Sequence, residues 1–467
     1  MKHGTLFFLM AVAIAGACGE TGGDPMTTTK MGGNVDEDAG GGASNLNGNG
    51  SCPPIGDRME FEVEGDIDED TSWSCDTLPI LTGRLFVTDG ATLTLESGTV
   101  VFGDEGSAVI VTKGARLLSL GESDNPVVLT SSSPLRQRGD WGGVVLLGDA
   151  PINVPGGTNH IEGIEINDDR GLYGGQDSKG NCGELTYTRI EYAGDEFSID
   201  NELNGLTLGG CGSDTKLSYI QIHRGLDDGI EFFGGTASVD HLVVTGAMDD
   251  SIDWDEGWTG TASFIIVQQH PGAGENAIEA DNLEDPNTAS PRSNPEIRNA
   301  TLIGPNEAAG NHRGILFRRG TWGMVKNAIF MGFGKEAIDV RDAETVKGAT
   351  QDPIALSVEG SLFFEIGGPG KEAWFDKEPM DGSEEDDDGA FDEAAFFSNG
   401  ARKNLFGTDP MIADAYDITE PDFVPAADAP GGMGAVSGAD FKGATYVGAI
   451  QPGGEDWTAG WTAFPVE

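Results

Sequence analysis

Five short segments of this chain line up on one isoleucine each. They are Gly229 to Phe232 around Ile230, Ser251 to Trp254 around Ile252, Ala277 to Ala280 around Ile278, Gly314 to Phe317 around Ile315, and Ala337 to Val340 around Ile338. The isoleucines return at intervals of 22, 26, 37 and 23 residues, and a second apolar stretch follows each by about a dozen residues. A period near 22 with irregular insertions fits one turn of a parallel β-helix, because extra residues loop out without disturbing the stacking of neighbouring turns. A propeller fits badly, since its blades need about 40 residues and four strands each. The sequence therefore predicts an all-β fold, a single-stranded right-handed parallel β-helix with loop insertions and a C-terminal cap.

The 72 glycines and 22 prolines punctuate many short strands, while the apolar content is too high for disorder. The same pattern reaches upstream through Leu206 to Leu208, Leu185 to Ile190, Val144 to Leu147, Val109 to Val111 and Leu85 to Val87. Side chains alternate faces along a strand, so Ile230 and Phe232 are expected inside the coil, with Asp227, Gly229 and Glu231 outside. Residues 281–295 and 305–311 read as loops.

The first residues give a basic start, an apolar run from Leu6 to Ile14, then Ala15, Gly16, Ala17 and Cys18, the order of a secretion signal. This ending resembles the lipobox of bacterial lipoproteins, which implies acylation of Cys18. Gly19 after the cysteine favours, by the same resemblance, an outer-membrane location with the extracellular side preferred. No later stretch approaches the ~20 apolar residues of a spanning helix, so the membrane is met only through the lipid. Residues 19–51 read as a flexible tether, 52–80 as a disulfide-bearing N-terminal cap, 81–370 as the β-helix, and 371–467 as an acidic insertion and C-terminal capping segment. Cys52, Cys75, Cys182 and Cys211 are an even set in a secreted context. Three pairings are open, the simplest being Cys52 with Cys75 and Cys182 with Cys211.

The formal charge is −51, from 27 basic and 78 acidic residues. A polyanion would be repelled, so nucleic acid is excluded as a partner.

The runs Gly139-Asp140-Trp141-Gly142-Gly143, Asn204 to Gly210 and Asp227 to Gly235, with the ending Asp456-Trp457-Thr458-Ala459-Gly460-Trp461-Thr462, resemble a family of secreted right-handed β-helix proteins of Gram-negative bacteria. The resemblance spans roughly residues 80 to 465. It implies a pectin-lyase-like fold at the cell surface and no particular reaction.

Set in register, the outward positions form rows: Asp227, Asp249, Glu275, His312 and Lys335; Gly229, Ser251, Ala277, Gly314 and Ala337; Glu231, Asp253, Glu279, Leu316 and Asp339; and Phe233, Asp255, Asp281, Arg318 and Arg341. This reads as a floor of small residues between polar walls. Carboxylates on strands about 4.8 Å apart repel by roughly 1 kcal/mol in water and about 3.5 kcal/mol at an effective dielectric near 20. Raised pKa values, splayed side chains or bound cations would relieve this, and calcium is the natural ion for hard oxygen ligands. The expected calcium ligands are Asp227, Glu231, Asp249, Asp253, Glu275 and Glu279. The corner row Asp228, Asp250 and Asn276 is expected to hydrogen-bond backbone amides.

The leading functional reading is a surface lipoprotein that binds glycan or another extracellular partner, such as a surface protein, along this outer face. One alternative is a polysaccharide lyase or glycoside hydrolase using Asp227, Asp249, Asp253 and Arg318. Another is a structural adhesin without a defined groove. Lys335 lies four rungs from Asp227, far for a base. The acidic run Glu384 to Asp388 lacks the alternation of an EF-hand loop. His241 and His270 read as isolated surface or turn residues, Trp254 as core, and Trp258 and Trp322 as candidates for stacking on sugar.

Overall fold

The computed structural model describes residues 45–198, 201–307, 310–372, 374–375, 388–432, 435–436 and 443–466; Cys18 and residues 383–387 of the acidic run lie outside them. Among the described residues twenty-five strands join in one sheet, and every pairing in it is parallel. The sheet winds as a right-handed β-helix with three faces. On the first face, Leu206–Gly209, Ile230–Phe233, Ile252–Asp255, Asn276–Ala280, Arg313–Phe317 and Ile338–Val340 stack in order. Ile230 pairs with Ile252, Asp253 with Glu279, Ile278 with Ile315 and Ile315 with Ile338, so the isoleucines form one file. All five are fully buried. Leu206, Val144, Val109 and Leu85 continue the file upstream.

The other two faces share strands. Gly183–Glu191, Lys216–His223, Ser238–Thr245, Thr261–Gln268 and Glu296–Ile303 each turn a corner at one residue with positive φ: Tyr187 (45°), Tyr219 (55°), His241 (58°), Phe264 (55°) and Asn299 (54°). Such φ values are costly for bulky side chains, and stacking offsets the cost. Tyr187 lies on Tyr219 (4.4 Å, 15°), Tyr219 on His241 (4.3 Å, 13°) and His241 on Phe264 (4.8 Å, 20°). His241 is thus a rung of an aromatic column rather than an isolated surface residue. His270 is buried, and of the two alternatives the turn holds there, its carbonyl accepting from the Ala273 amide (3.0 Å).

The ends and sides are covered. The strand Met59–Ile67 pairs with Thr77–Val87 at the N-terminal end. At the other end Phe375, Phe397 and Phe406 close over Phe363. Residues 412–432 and 443–466 pack along the side, where Phe423, Val447, Ile450 and Trp461 cover Val243, Ile266, Ile303 and Ile329. Leu46 is buried against Ile55, Leu78, Val100 and Val128, so the packed body begins within what reads as tether up to residue 51. The disulfides are Cys52–Cys75 and Cys182–Cys211, the simplest of the three pairings.

Candidate functional site

The second row of the sequence reading faces inward, not outward. A Cβ placed on Gly229 would meet Val244 Cγ1 at 2.4 Å, and one on Gly314 would meet Phe330 Cδ1 at 2.8 Å. Ala277 and Ala337 belong to the apolar core. Alternation breaks here because the chain rounds a corner just before the strand, so Gly229 and Ile230 both turn inside. Only a very small side chain fits at that corner. The small residues are a packing requirement of the coil and form no floor for a ligand.

The third row is outward as expected, but it changes character along the axis. Phe86, Ile110 and Val145 precede Thr207, Glu231, Asp253 and Glu279 in one register. An insertion between residues 148 and 182 lies over this face. Its Ile152, Ile161, Ile164 and Tyr173 pack on Phe86, Ile110, Val145 and Leu147. The insertion then extends above the acids. Tyr173 Oη donates to Glu256 Oε2 (2.7 Å), Asn159 Nδ2 to Glu256 Oε1 (2.7 Å), and Asn153 Nδ2 to Asn282 Oδ1 (2.8 Å). Glu231 is consequently only 8% exposed. The acidic face expected to be open is covered at Glu231, while Asp249 and Glu275 stay exposed.

From the covered Glu231 out to the exposed Asp249 the carboxylates crowd. Oxygens of Asp227, Asp228 and Asp249 lie within 4.8 Å of one another, and so do those of Asp228, Glu231 and Asp253. Asp228 is common to both triads. It also does the corner work expected of it, accepting from the Asp250 amide (2.8 Å), as Asp250 accepts from the Asn276 amide (2.6 Å). These bonds run to the next coil and tie rung to rung. Asn204, one rung before Asp228, donates to Glu231 Oε2 (2.6 Å). Asp253 Oδ1 and Asp255 Oδ1 are buried and have no hydrogen-bond partner among the described residues.

Burial pushes the carboxyls of Asp228, Glu231, Asp250, Asp253 and Asp255 well above the usual range, and neighbouring carboxylates push them further. Asp249 is raised by burial and by Glu275. Counter-charge comes from one end of the row. Arg318 pairs with Glu279 and, at 3.0 Å, with Asp281, while Arg319 reaches Asp281 at 3.0 Å. Glu279 is therefore held by arginine. Glu275 is exposed and receives a long hydrogen bond from Asn311 (3.3 Å). Of the six expected calcium ligands, Asp227, Glu231, Asp249 and Asp253 meet in the triads, and Glu275 and Glu279 do not. Arg318 lies close enough to Asp253 and Asp249 to lower both.

Two cavities open beside the cluster. One of about 340 Å³ is lined by Glu202, Leu226, Asp227, Met248 and Asp249. The other, about 380 Å³, is lined by Arg84, His160, Ile164, Ile166 and Glu162 among others. The Glu202 amide donates to Glu162, so the two adjoin. Burial first, then Asp227 and Glu202, push Glu162 up to about 8. Glu162 and Asn204 escaped the sequence reading. Asn204 sits in the Asp228 row and was findable by carrying the register one coil upstream; Glu162 lies in an insertion outside the repeat.

Three other expectations fail. Trp258 is fully buried, stacked on Phe232 (4.1 Å) with its indole N–H on the Ala237 carbonyl, so it offers no sugar platform. Trp322 carries the Arg292 guanidinium on its ring (4.5 Å). His312 keeps its place in the row, its carbonyl accepting from the Lys335 amide, but its side chain is buried, with Nε2 3.2 Å from the Ala273 carbonyl. Trp254 is core, as read.

The family model of the pectate-lyase-like beta helix domain matches residues 65–367. Neither curated proteins nor solved structures give a match. The match covers more than half of the chain: the chain belongs to the pectate-lyase-like β-helix family.

Proposed function

We propose that the protein is a surface-anchored lipoprotein that recognises carbohydrate in the cleft beside Asp227 and Asp249, assisted by a divalent cation. The observation that carries this reading is the pair of carboxylate triads sharing Asp228 at the cleft wall. Three such oxygens within 4.8 Å either hold protons or surround a cation, and an all-oxygen donor set suits calcium. The unpartnered Asp253 Oδ1 fits the same group. Asp227, Asp228, Glu231, Asp249 and Asp253 would hold the ion, which would supply positive charge for sugar hydroxyls or carboxylates. Cys18 would carry the lipid, and two disulfides are compatible with a secreted setting.

A hydrolase is the second reading, favoured by Glu162. A carboxyl raised to about 8 keeps its proton at neutral pH, as a general acid must. A lyase is less well supported, because Arg318 is ion-paired and its pKa is raised, the wrong direction for a base. The test is calorimetry with calcium chloride, followed by glycan-array binding in calcium and in chelator. Saturable heat, lost in Asp228→Asn and Asp253→Asn, is expected. No heat with an unchanged melting temperature removes the cation, and reducing-end release abolished by Glu162→Gln replaces binding with hydrolysis.

A further inference from the structure

The face covered by the C-terminal segment carries a patch of buried polar residues, Glu191, Thr245 and Gln268 among them. Arg189, Gln221 and His223 lie on the adjacent strands Gly183–Glu191 and Lys216–His223, and all three are buried. Each of them bonds to the main chain of one short segment. Arg189 Nη1 reaches the Trp461 carbonyl (3.3 Å). Gln221 clamps one residue from both sides, its Nε2 on the Ala463 carbonyl (2.7 Å) and its Oε1 on the Ala463 amide (2.9 Å). His223 Nε2 meets the Pro465 carbonyl (2.8 Å), which can only accept, so that nitrogen carries the proton. Tyr192 Oη donates to the same carbonyl (3.2 Å).

The contacts fall on residues 461, 463 and 465, the alternation of an extended peptide read through its backbone. Side chains add selectivity. Trp461 is fully buried, edge-on to Tyr187 (5.8 Å) and Tyr219 (6.1 Å), and Phe464 stands edge-on to His223 (6.3 Å). The Asp456 to Thr462 motif explains itself here. Asp456 Oδ1 caps the turn through the Thr458 amide (2.9 Å), and the Trp461 indole N–H donates to the Trp457 carbonyl (2.7 Å), fixing both tryptophans for the aromatic column. Just before the motif comes Pro452-Gly453-Gly454-Glu455, with Gly453 exposed at φ 63°.

We infer that this face is a peptide-recognition groove for an extended Trp-x-Ala-Phe-Pro segment, filled here by the chain's own residues 455–466, and that the same segment of a second copy can fill it in exchange. Backbone reading of this kind does not distinguish which copy donates the segment, and the swap would turn at the Gly453-Gly454 link, where the Gly453 amide is held by the Pro425 carbonyl (2.8 Å). In an empty groove Gln221 would lose both bonds to Ala463 and His223 its bond to the Pro465 carbonyl, while Arg189 keeps its ion pair with Glu191 (3.0 Å), so the groove favours staying filled.

The test uses the full chain with a site-specific protease sequence inserted between Gly454 and Glu455, cut after folding. A fluorescein-labelled peptide of residues 455–467 is expected to enter the cut protein saturably by anisotropy. The W461A peptide should bind at least tenfold more weakly, and Gln221→Ala in the protein should weaken the parent peptide several-fold with an unchanged circular dichroism spectrum. Uncut chain at rising concentration should form a dimer by sedimentation, reduced by Gln221→Ala. Unfolding on cleavage, failure of the peptide to enter folded cut protein, or equal binding of the W461A peptide overturns the groove. A chain monomeric at every concentration overturns the exchange between copies.

Discussion

Gly229 and Asp253 show how one position can decide a rung. Because a Cβ at Gly229 would meet both Val244 and the Ser251 carbonyl, Gly229→Ala should cost about 1–3 kcal/mol by overpacking. Gly400→Ala, where nothing lies within 4 Å, should change stability by less than about 0.5 kcal/mol; urea denaturation of both checks the contrast. Asp253→Asn keeps the shape and removes one of several crowded charges. In chelator at neutral pH it is expected to stabilise the fold by about 1–3 kcal/mol, the scale of one close carboxylate repulsion in a partly screened site. A loss of stability instead would mean that the Asp253 carboxylate is held by favourable bonds and that repulsion does not dominate there.

At the scale of an element, the corner column and the second disulfide do related work, holding successive coils in line. The column lets Tyr187, Tyr219, His241 and Phe264 adopt a backbone conformation that none favours alone. Cys182–Cys211 ties the coil that follows the long covering insertion, with a sequence separation of 29. Closing a loop of that size is worth about 3–4 kcal/mol in the chain-entropy account. The double variant Cys182→Ala/Cys211→Ala should lose roughly that amount in urea denaturation, and a loss under about 1 kcal/mol would show that the coil stacking alone holds the insertion. The covering insertion itself was not anticipated as a lid over the acids, because nothing in a strand repeat encodes what an excursion folds back upon.

For the whole molecule, pH is the readout. Asp228, Glu231, Asp253 and Asp255 have folded-state pKa values raised by burial and by one another, and Glu162 is raised to about 8. Raised carboxyls contribute stability that is complete below the ordinary carboxylate range and is lost as pH rises through the folded values. His223 and His270, lowered by burial to about 3 and about 2, act in the opposite sense. Their contribution is complete above about 6.5 and fades on acidification. Above that point only the carboxyls act, so in chelator the melting temperature should fall between about pH 6.5 and 8.5. A flat or rising profile would show that the cluster is better solvated than its burial indicates. Calcium, under the proposed function, should flatten the fall.

What the sequence determined by itself is the coil: isoleucines recurring once per turn dictate a parallel stack, because an apolar residue returning at the pitch of the winding can be buried only by its own repeats. The register of the acids followed, since Glu231, Asp253 and Glu279 are locked to their isoleucine neighbours. Tertiary structure decided which of the rows read as outward reach water. The inward turn of Gly229, the burial of Trp258, the cover over Glu231 and the arrival of Trp461 on the far face all depend on contacts between distant residues. Local periodicity does not record such contacts, because a strand repeat fixes the face of a side chain and leaves open what lies across from it.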